Sequence, residues 1–252
     1  MFLLNAFVLT RTTFLVQNFN LCSSVTSVVI FFRLMKQLSS YTHLLFDLDG
    51  TLTESGPGIM NSARYALAQY GITDVADSTL RKFIGPPLMD SFQNMFGFSE
   101  EKAREAMKKY REYFAEKGLF ENSVYPEIRE TLTELKARGK HLFVATSKPE
   151  IYTNRILDKF ELTQFFEDIC GADIEETRSE KAKIIEYLLE KNHLESERKN
   201  GQILMIGDRL HDIIGAHKNS LPCCACLWGY GDRKEFAENK ADFVIEKPGE
   251  LL

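Results

Sequence analysis

The chain has 252 residues, 44% of them hydrophobic and 27% charged, the balance of a globular protein with an ample core. Its net charge of −5 offers no general basic field for a nucleic-acid polymer. Five cysteines, Cys22, Cys170, Cys223, Cys224 and Cys226, match neither a zinc-site spacing nor a disulfide framework, and read as small buried apolar residues of a cytoplasmic protein.

Residues 1–34 stand apart. They contain Arg11 and Arg33, no acidic residue, and many Phe, Val, Leu, Ser and Thr. Gln17, Asn18 and Asn20 interrupt the uncharged run between the two arginines, which makes a poor spanning helix. No positive charge followed by an apolar run and a small-residue cleavage site marks a secretory signal. Met35-Lys36-Gln37 resembles a start shortly before the first core strand. Residues 1–34 are therefore expected to be an extension outside the fold, whether translated upstream sequence, a disordered tail or a weak anchor.

The first core stretch is His43-Leu44-Leu45-Phe46-Asp47-Leu48-Asp49-Gly50-Thr51. An apolar run of strand length ends in two carboxylates one residue apart, and Gly50 marks where the chain turns. Acids at the end of a buried strand need a positive partner, and a hard divalent cation with oxygen ligands is the obvious one. Glu54 to Gly58 reads as a turn, followed by a helix with Ile59, Ala63, Ala66 and Tyr70 on one face and Gly71 at its end. Asp77-Ser78 is expected to cap a short helix, and Phe83-Ile84-Gly85-Pro86-Pro87 to form a rigid loop. Ser99 with Glu100 and Glu101 starts a helix carrying Ala103, Met107, Tyr110 and Phe114 inward. From Ser55 to about Val124 the pattern predicts helices and no strand.

Beyond Pro126, which is expected to start a helix, strands and helices alternate. Strands are expected at His141 to Ser147, Phe166 to Ala172, Gln202 to Asp208, Pro222 to Leu227 and Asp242 to Ile245. Helices are expected over Glu150 to Phe160, from about Glu180, and from about Asp212. Alternation of this kind means a parallel sheet with helices on both faces, and sites in that class lie beyond the carboxyl ends of the strands. There the polar residues converge: Asp47 and Asp49, Thr146 and Ser147, Lys181, and Asp208 with Asp212 four residues on.

The ordered set Asp47-x-Asp49-Gly50-Thr51, Thr146, Lys181, Gly207-Asp208-x-x-x-Asp212 resembles the haloacid dehalogenase superfamily of phosphohydrolases over about Tyr41 to Leu252. The helical insertion and the Phe83 to Pro87 loop are similar to its phosphoglycolate phosphatase and 5′-nucleotidase-like branch. The resemblance implies an α/β fold, a Rossmann-like three-layer parallel sheet core over 35–54 and 125–252, with an all-helical cap over 55–124. It implies a phosphatase of small phosphate monoesters, in which Asp47 is the nucleophile and Asp49 the general acid and base. Mg2+ would be held by Asp47, Asp208, Asp212 and the carbonyl of Asp49, and phosphate by Thr146, Ser147, Lys181 and Gly50. Arg178 or Lys148 could share the role of Lys181, and Arg81, Lys82, Ile84 and Gly85 are candidates for substrate specificity. Phe83, Phe92, Phe96 and Phe98 could stack on a base but fit helix packing better, and His211 fits a surface or packing role. The rival readings are a sugar phosphomutase of the same superfamily and a non-catalytic phosphate-binding protein.

Overall fold

The computed structural model describes residues 38–174 and 177–252, so the extension expected over 1–34, with Cys22, lies outside the described residues. The chain enters through strand β1 (His43–Phe46) and passes into β2 (Thr53–Glu54). Four helices follow: α1 (Gly56–Ala68), α2 (Asp77–Leu80), α3 (Leu88–Phe96) and α4 (Glu100–Glu116). Strand β3 (Ser123–Val124) leads back to α5 (Ile128–Ala137), β4 (His141–Pro149), α6 (Glu150–Lys159) and β5 (Asp168–Ala172). Then come α7 (Lys181–Lys191), α8 (Glu195–Lys199), β6 (Ile203–Gly207) and α9 (Leu210–Lys218). Finally come β7 (Cys223–Cys226), α10 (Arg233–Glu238) and β8 (Phe243–Ile245).

Six strands form one parallel sheet in the order β5-β4-β1-β6-β7-β8. Strand β1 is central, with Phe46 in register with Val144 of β4 and Ile206 of β6. The residues just past these three strands therefore meet at one end of the sheet. Leu45, Phe143, Ala145, Met205 and Cys223 pack with Ile184, Ile185 and Leu188 of α7 and Ile213 and Ala216 of α9. Leu44, Phe46, Leu142, Val144, Leu204 and Ile206 are offset by one residue and so face the opposite side. All six are at most 3% exposed, so that face is covered too. Burial on both faces is why these strands read as unbroken apolar runs rather than as alternation.

The helical insertion leaves the core between β2 and β3, which pair antiparallel through Thr53–Val124 and Glu54–Ser123. This corrects the expectation of no strand before Val124; two residues are too short for a sequence period to show. The N-cap of α4 is as expected, with Ser99 Oγ accepting from Lys102 N at 3.2 Å. Asp77 does not cap α2 but lies inside it, paired with Arg64 at 2.7 Å. Pro126 does not begin α5, because Glu127 takes a left-handed φ of 65° and the helix starts at Ile128. Short polar helices α8 and α10 carry too few apolar residues to be predicted. Cys170, Cys223, Cys224 and Cys226 are free and buried, as core packing requires. Among the described residues, no helix is long and apolar enough to cross a membrane.

Candidate active site

Asp47 takes one further ladder step beyond β1, its N–H donating to Ile206 O at 2.9 Å. The chain then coils tightly: Leu52 and Thr53 both donate to Leu48 O, and Gly50 has φ +85°. A Cβ on Gly50 would lie 2.1 Å from Asp208 Oδ2 and 2.6 Å from Tyr230 Cδ2, so only glycine fits. The Gly50 N–H donates to Thr53 O at 2.8 Å. Within the protein that N–H serves the local coil, and the glycine matters for space and turn.

Asp208 follows β6 and is 0% exposed. Its Oδ1 accepts from the Thr51 hydroxyl at 3.2 Å and its Oδ2 from Tyr230 N at 2.8 Å. Asp212, in the first turn of α9, accepts through Oδ2 from Asp208 N at 3.1 Å and Arg209 N at 3.0 Å. That loop-closing pair brings the two carboxylates together. One carboxylate oxygen from each of Asp47, Asp208 and Asp212 lies within 4.8 Å of the others.

Lys181 opens α7 but is only 5% exposed, which removes the reading of a solvated first-turn lysine. Its Nζ donates to Ala145 O at 2.9 Å and stands 2.8 Å from both Asp47 Oδ1 and Asp212 Oδ1. Lys148 Nζ lies 2.8 Å from Asp49 Oδ2 and 4.6 Å from the centre of the Phe114 ring. Of the two alternatives to Lys181, Lys148 therefore reaches the site. Arg178 does not: it donates to Gly171 O and lies over the Tyr187 ring at 3.7 Å.

The electrostatics show too little positive charge. Burial pushes the Asp47 carboxyl up to about 6, with Lys181 pulling the other way and Asp212 and Asp49 adding to the rise. Asp208 is pushed well above the carboxylate range by burial, then by Asp212 and Asp47. Burial alone would lower Lys181, yet the Asp212 and Asp47 carboxylates outweigh it and hold the ammonium up. Asp47 Oδ1 and Asp212 Oδ1 are buried and share the single Lys181 ammonium, and Asp49 Oδ1 is buried without a hydrogen-bond partner. Oxygen donors crowded together, under-neutralised and short of hydrogen bonds fit a hard divalent cation such as Mg2+.

The cavity over these residues is bounded on the sheet side by Asp47, Asp49, Thr146, Ser147, Lys148 and Lys181. Thr146 lies within β4, which runs on to Pro149 beyond the end expected at Ser147; it is 1% exposed and its Oγ1 accepts from Lys148 N at 3.3 Å. The rest of the lining combines Ile59, Phe83, Tyr110 and Phe114 of the insertion and Tyr152 of α6 with a cation of the insertion, Arg111 of α4. Of the specificity candidates, Gly85 lines the cavity, and Ile84 is buried with its carbonyl accepting from Arg209 Nη1 at 2.7 Å. Arg81 and Lys82 are exposed on a short 3-10 turn and are not among the lining residues. Phe92, Phe96 and Phe98 pack on one another and on Phe83, which alone of the four reaches the cavity. His211 lines the cavity, half-buried, with its pKa lowered by burial. Sequence reasoning missed Tyr110, Phe114, Arg111, Tyr152 and Arg209 as site residues. The first two share a face with the helix core, so nothing in the periodicity sets them apart. Arg209 could have been noticed, since it lies between Asp208 and Asp212.

Comparison with known proteins agrees with this geometry. The family model for haloacid dehalogenase-like hydrolases matches residues 44–226. A 5′-nucleotidase from Pseudomonas aeruginosa is 42% identical over 77% of this chain and 86% of its own length. Tyrosine-protein kinase PtkA from Mycobacterium tuberculosis is 35% identical over 80% of this chain and 67% of its own. A phosphoglycolate phosphatase from Vibrio parahaemolyticus is 27% identical over 83% and 93%. The crystal structure of a predicted phosphatase from Clostridium acetobutylicum superposes with a TM-score of 0.80 and 42% identity, covering 84% of this chain and 96% of that one.

Proposed function

The chain belongs to the haloacid dehalogenase-like hydrolase family and is a phosphatase of that family, and we propose that it hydrolyses small phosphate monoesters with Mg2+ through a phosphorylated Asp47. The observation that carries this reading is the buried triad Asp47, Asp208 and Asp212, with Lys181 against two of its members. Asp47 attacks phosphorus as the bond to the leaving oxygen breaks, and Asp49 delivers a proton to that oxygen. Asp49 then takes a proton from water, whose oxygen attacks phosphorus and frees the Asp47 carboxylate with inorganic phosphate. Lys181, Thr146 and Ser147 bind the phosphoryl oxygens. Lys148, 2.8 Å from Asp49 Oδ2, holds that carboxyl in place beside the site. When bound, Mg2+ would be held by Asp47, Asp208, Asp212 and the Asp49 carbonyl, and would offset the charge of the phosphoryl group.

Residues 55–124 act as a helical cap over the core strands and their flanking helices, excluding bulk water from the site. The aromatic lining suits a flat leaving group and Arg111 beside it an anionic one, so nucleoside 5′-monophosphates and phosphoglycolate head the panel of candidate substrates. The free buried thiols fit a cytoplasmic protein. A phosphate-release screen over nucleoside monophosphates, phosphoglycolate and sugar phosphates tests the reading. The expected result is release that EDTA stops and Mg2+ restores. No release from any ester, release indifferent to EDTA, or conversion of a sugar phosphate to its isomer without release would contradict it.

A further inference from the structure

The loop from Ile84 to Pro87 brings Gly85, Pro86 and Pro87 into the cavity wall. Two prolines leave it few N–H groups with which to anchor itself. Its tie to the core is a carbonyl, Ile84 O accepting from Arg209 Nη1 at 2.7 Å. Arg209 is itself clasped: Nε donates to Glu235 Oε1 at 3.0 Å and Nη2 to Glu235 Oε2 at 3.4 Å. Glu235 is fixed in turn, Oε1 accepting from Leu210 N at 2.7 Å. Gly85, at φ +104°, passes so close that a Cβ there would meet Arg209 Nη1 at 3.3 Å. Each of the three guanidinium nitrogens thus already donates within the protein. The main chain of Arg209 joins the same loop to the site, its N–H donating to Asp212 Oδ2. Glu235 does not line the cavity.

We propose that Arg209, held by Glu235, is a positioning residue that sets the Ile84 to Pro87 loop against the leaving group of the ester and so governs which alcohols are accepted. A planar fork is needed because one group must reach a carboxylate and a carbonyl at the same time. Lysine, with a single nitrogen, cannot do both in this geometry. The proposal rests on the phosphatase reading above.

The test compares wild type, Glu235→Gln, Arg209→Lys and the double variant, with p-nitrophenyl phosphate as substrate and inorganic phosphate as competitive inhibitor. Phosphate has no leaving group, so it reports the sheet-side half of the site alone. Each single variant is expected to raise KM about tenfold with kcat within about threefold, while the inhibition constant of phosphate moves less than about twofold. The double variant should be no worse than the worse single one, because both act through the same contact. A wild-type KM in Glu235→Gln overturns the proposal. So does phosphate inhibition that weakens in step with KM, since Arg209 would then be a direct phosphate contact. If Glu235→Gln melts below the assay temperature, Arg209→Lys decides in the same two ways. A wild-type enzyme inactive on every ester would overturn the phosphatase reading, and this proposal with it.

Discussion

Replacing Lys181 with methionine keeps the length of the side chain and removes the ammonium that faces Asp47 and Asp212 at 2.8 Å. Breaking a buried ion pair from one side typically costs about 3–5 kcal/mol, because a charge is left uncompensated. The upper half of that range applies here, since two carboxylates lose their partner and Asp208 lies in the same cluster. The cost depends on pH. Burial pushes the Asp47 carboxyl up to about 6, above its ordinary range. A raised carboxyl favours the fold while protonated, and that stabilisation is lost as pH rises through the folded pKa. In the wild type, without metal, stability therefore falls as pH rises through about 6. Without Lys181 the Asp47 pKa moves higher still, so the deficit of Lys181→Met should be full at about pH 7.5 and clearly smaller at about pH 5. Urea unfolding in EDTA at both pH values measures it, and added Mg2+ should recover part of the deficit by binding the folded state. A variant as stable as wild type at the higher pH, or a deficit equal at both, would refute this electrostatic account.

Gly50→Ala should cost about 2–3 kcal/mol in stability and about a hundredfold in turnover, because its Cβ would lie 2.1 Å from Asp208 Oδ2; a melt and a rate assay check both. Arg178→Ala should leave turnover within about twofold and cost about 1 kcal/mol, since its hydrogen bonds end on Gly171 O. A large rate loss in that variant would mean that Arg178 reaches the phosphoryl group. Ser99→Ala should destabilise the helical insertion by about 1 kcal/mol through loss of the cap on α4, with kcat unchanged, as differential scanning and steady-state kinetics would show.

The sheet and its catalytic edge were readable because the central strands are apolar runs buried on both faces, each followed directly by a polar residue. Asp47, Thr146 and Asp208 each follow an apolar run, and the alternation of strands with helices then places those ends side by side. What the chain pattern does not carry is contact between distant stretches. The pairing of Thr53–Glu54 with Ser123–Val124 is two residues long, too short for any period. The role of Gly50 depends on Asp208 and Tyr230, more than 150 residues away, and its N–H turned out to serve the local coil. Arg81 and Lys82 looked like substrate contacts by charge and neighbourhood, but they lie on the exposed side of the turn whose next residue, Phe83, faces the cavity. Tyr110 and Phe114 have the opposite history: ordinary inward positions of α4 whose helix happens to roof the site.

The most direct test of the account is to catch the phosphoryl group on the protein. Enzyme mixed with an isotopically labelled aryl phosphate is quenched in acid within one turnover and its peptides are analysed by mass spectrometry. Phosphate on the peptide containing Asp47, absent in Asp47→Asn, is the predicted result. Label on another residue, or full turnover in Asp47→Asn, would contradict it.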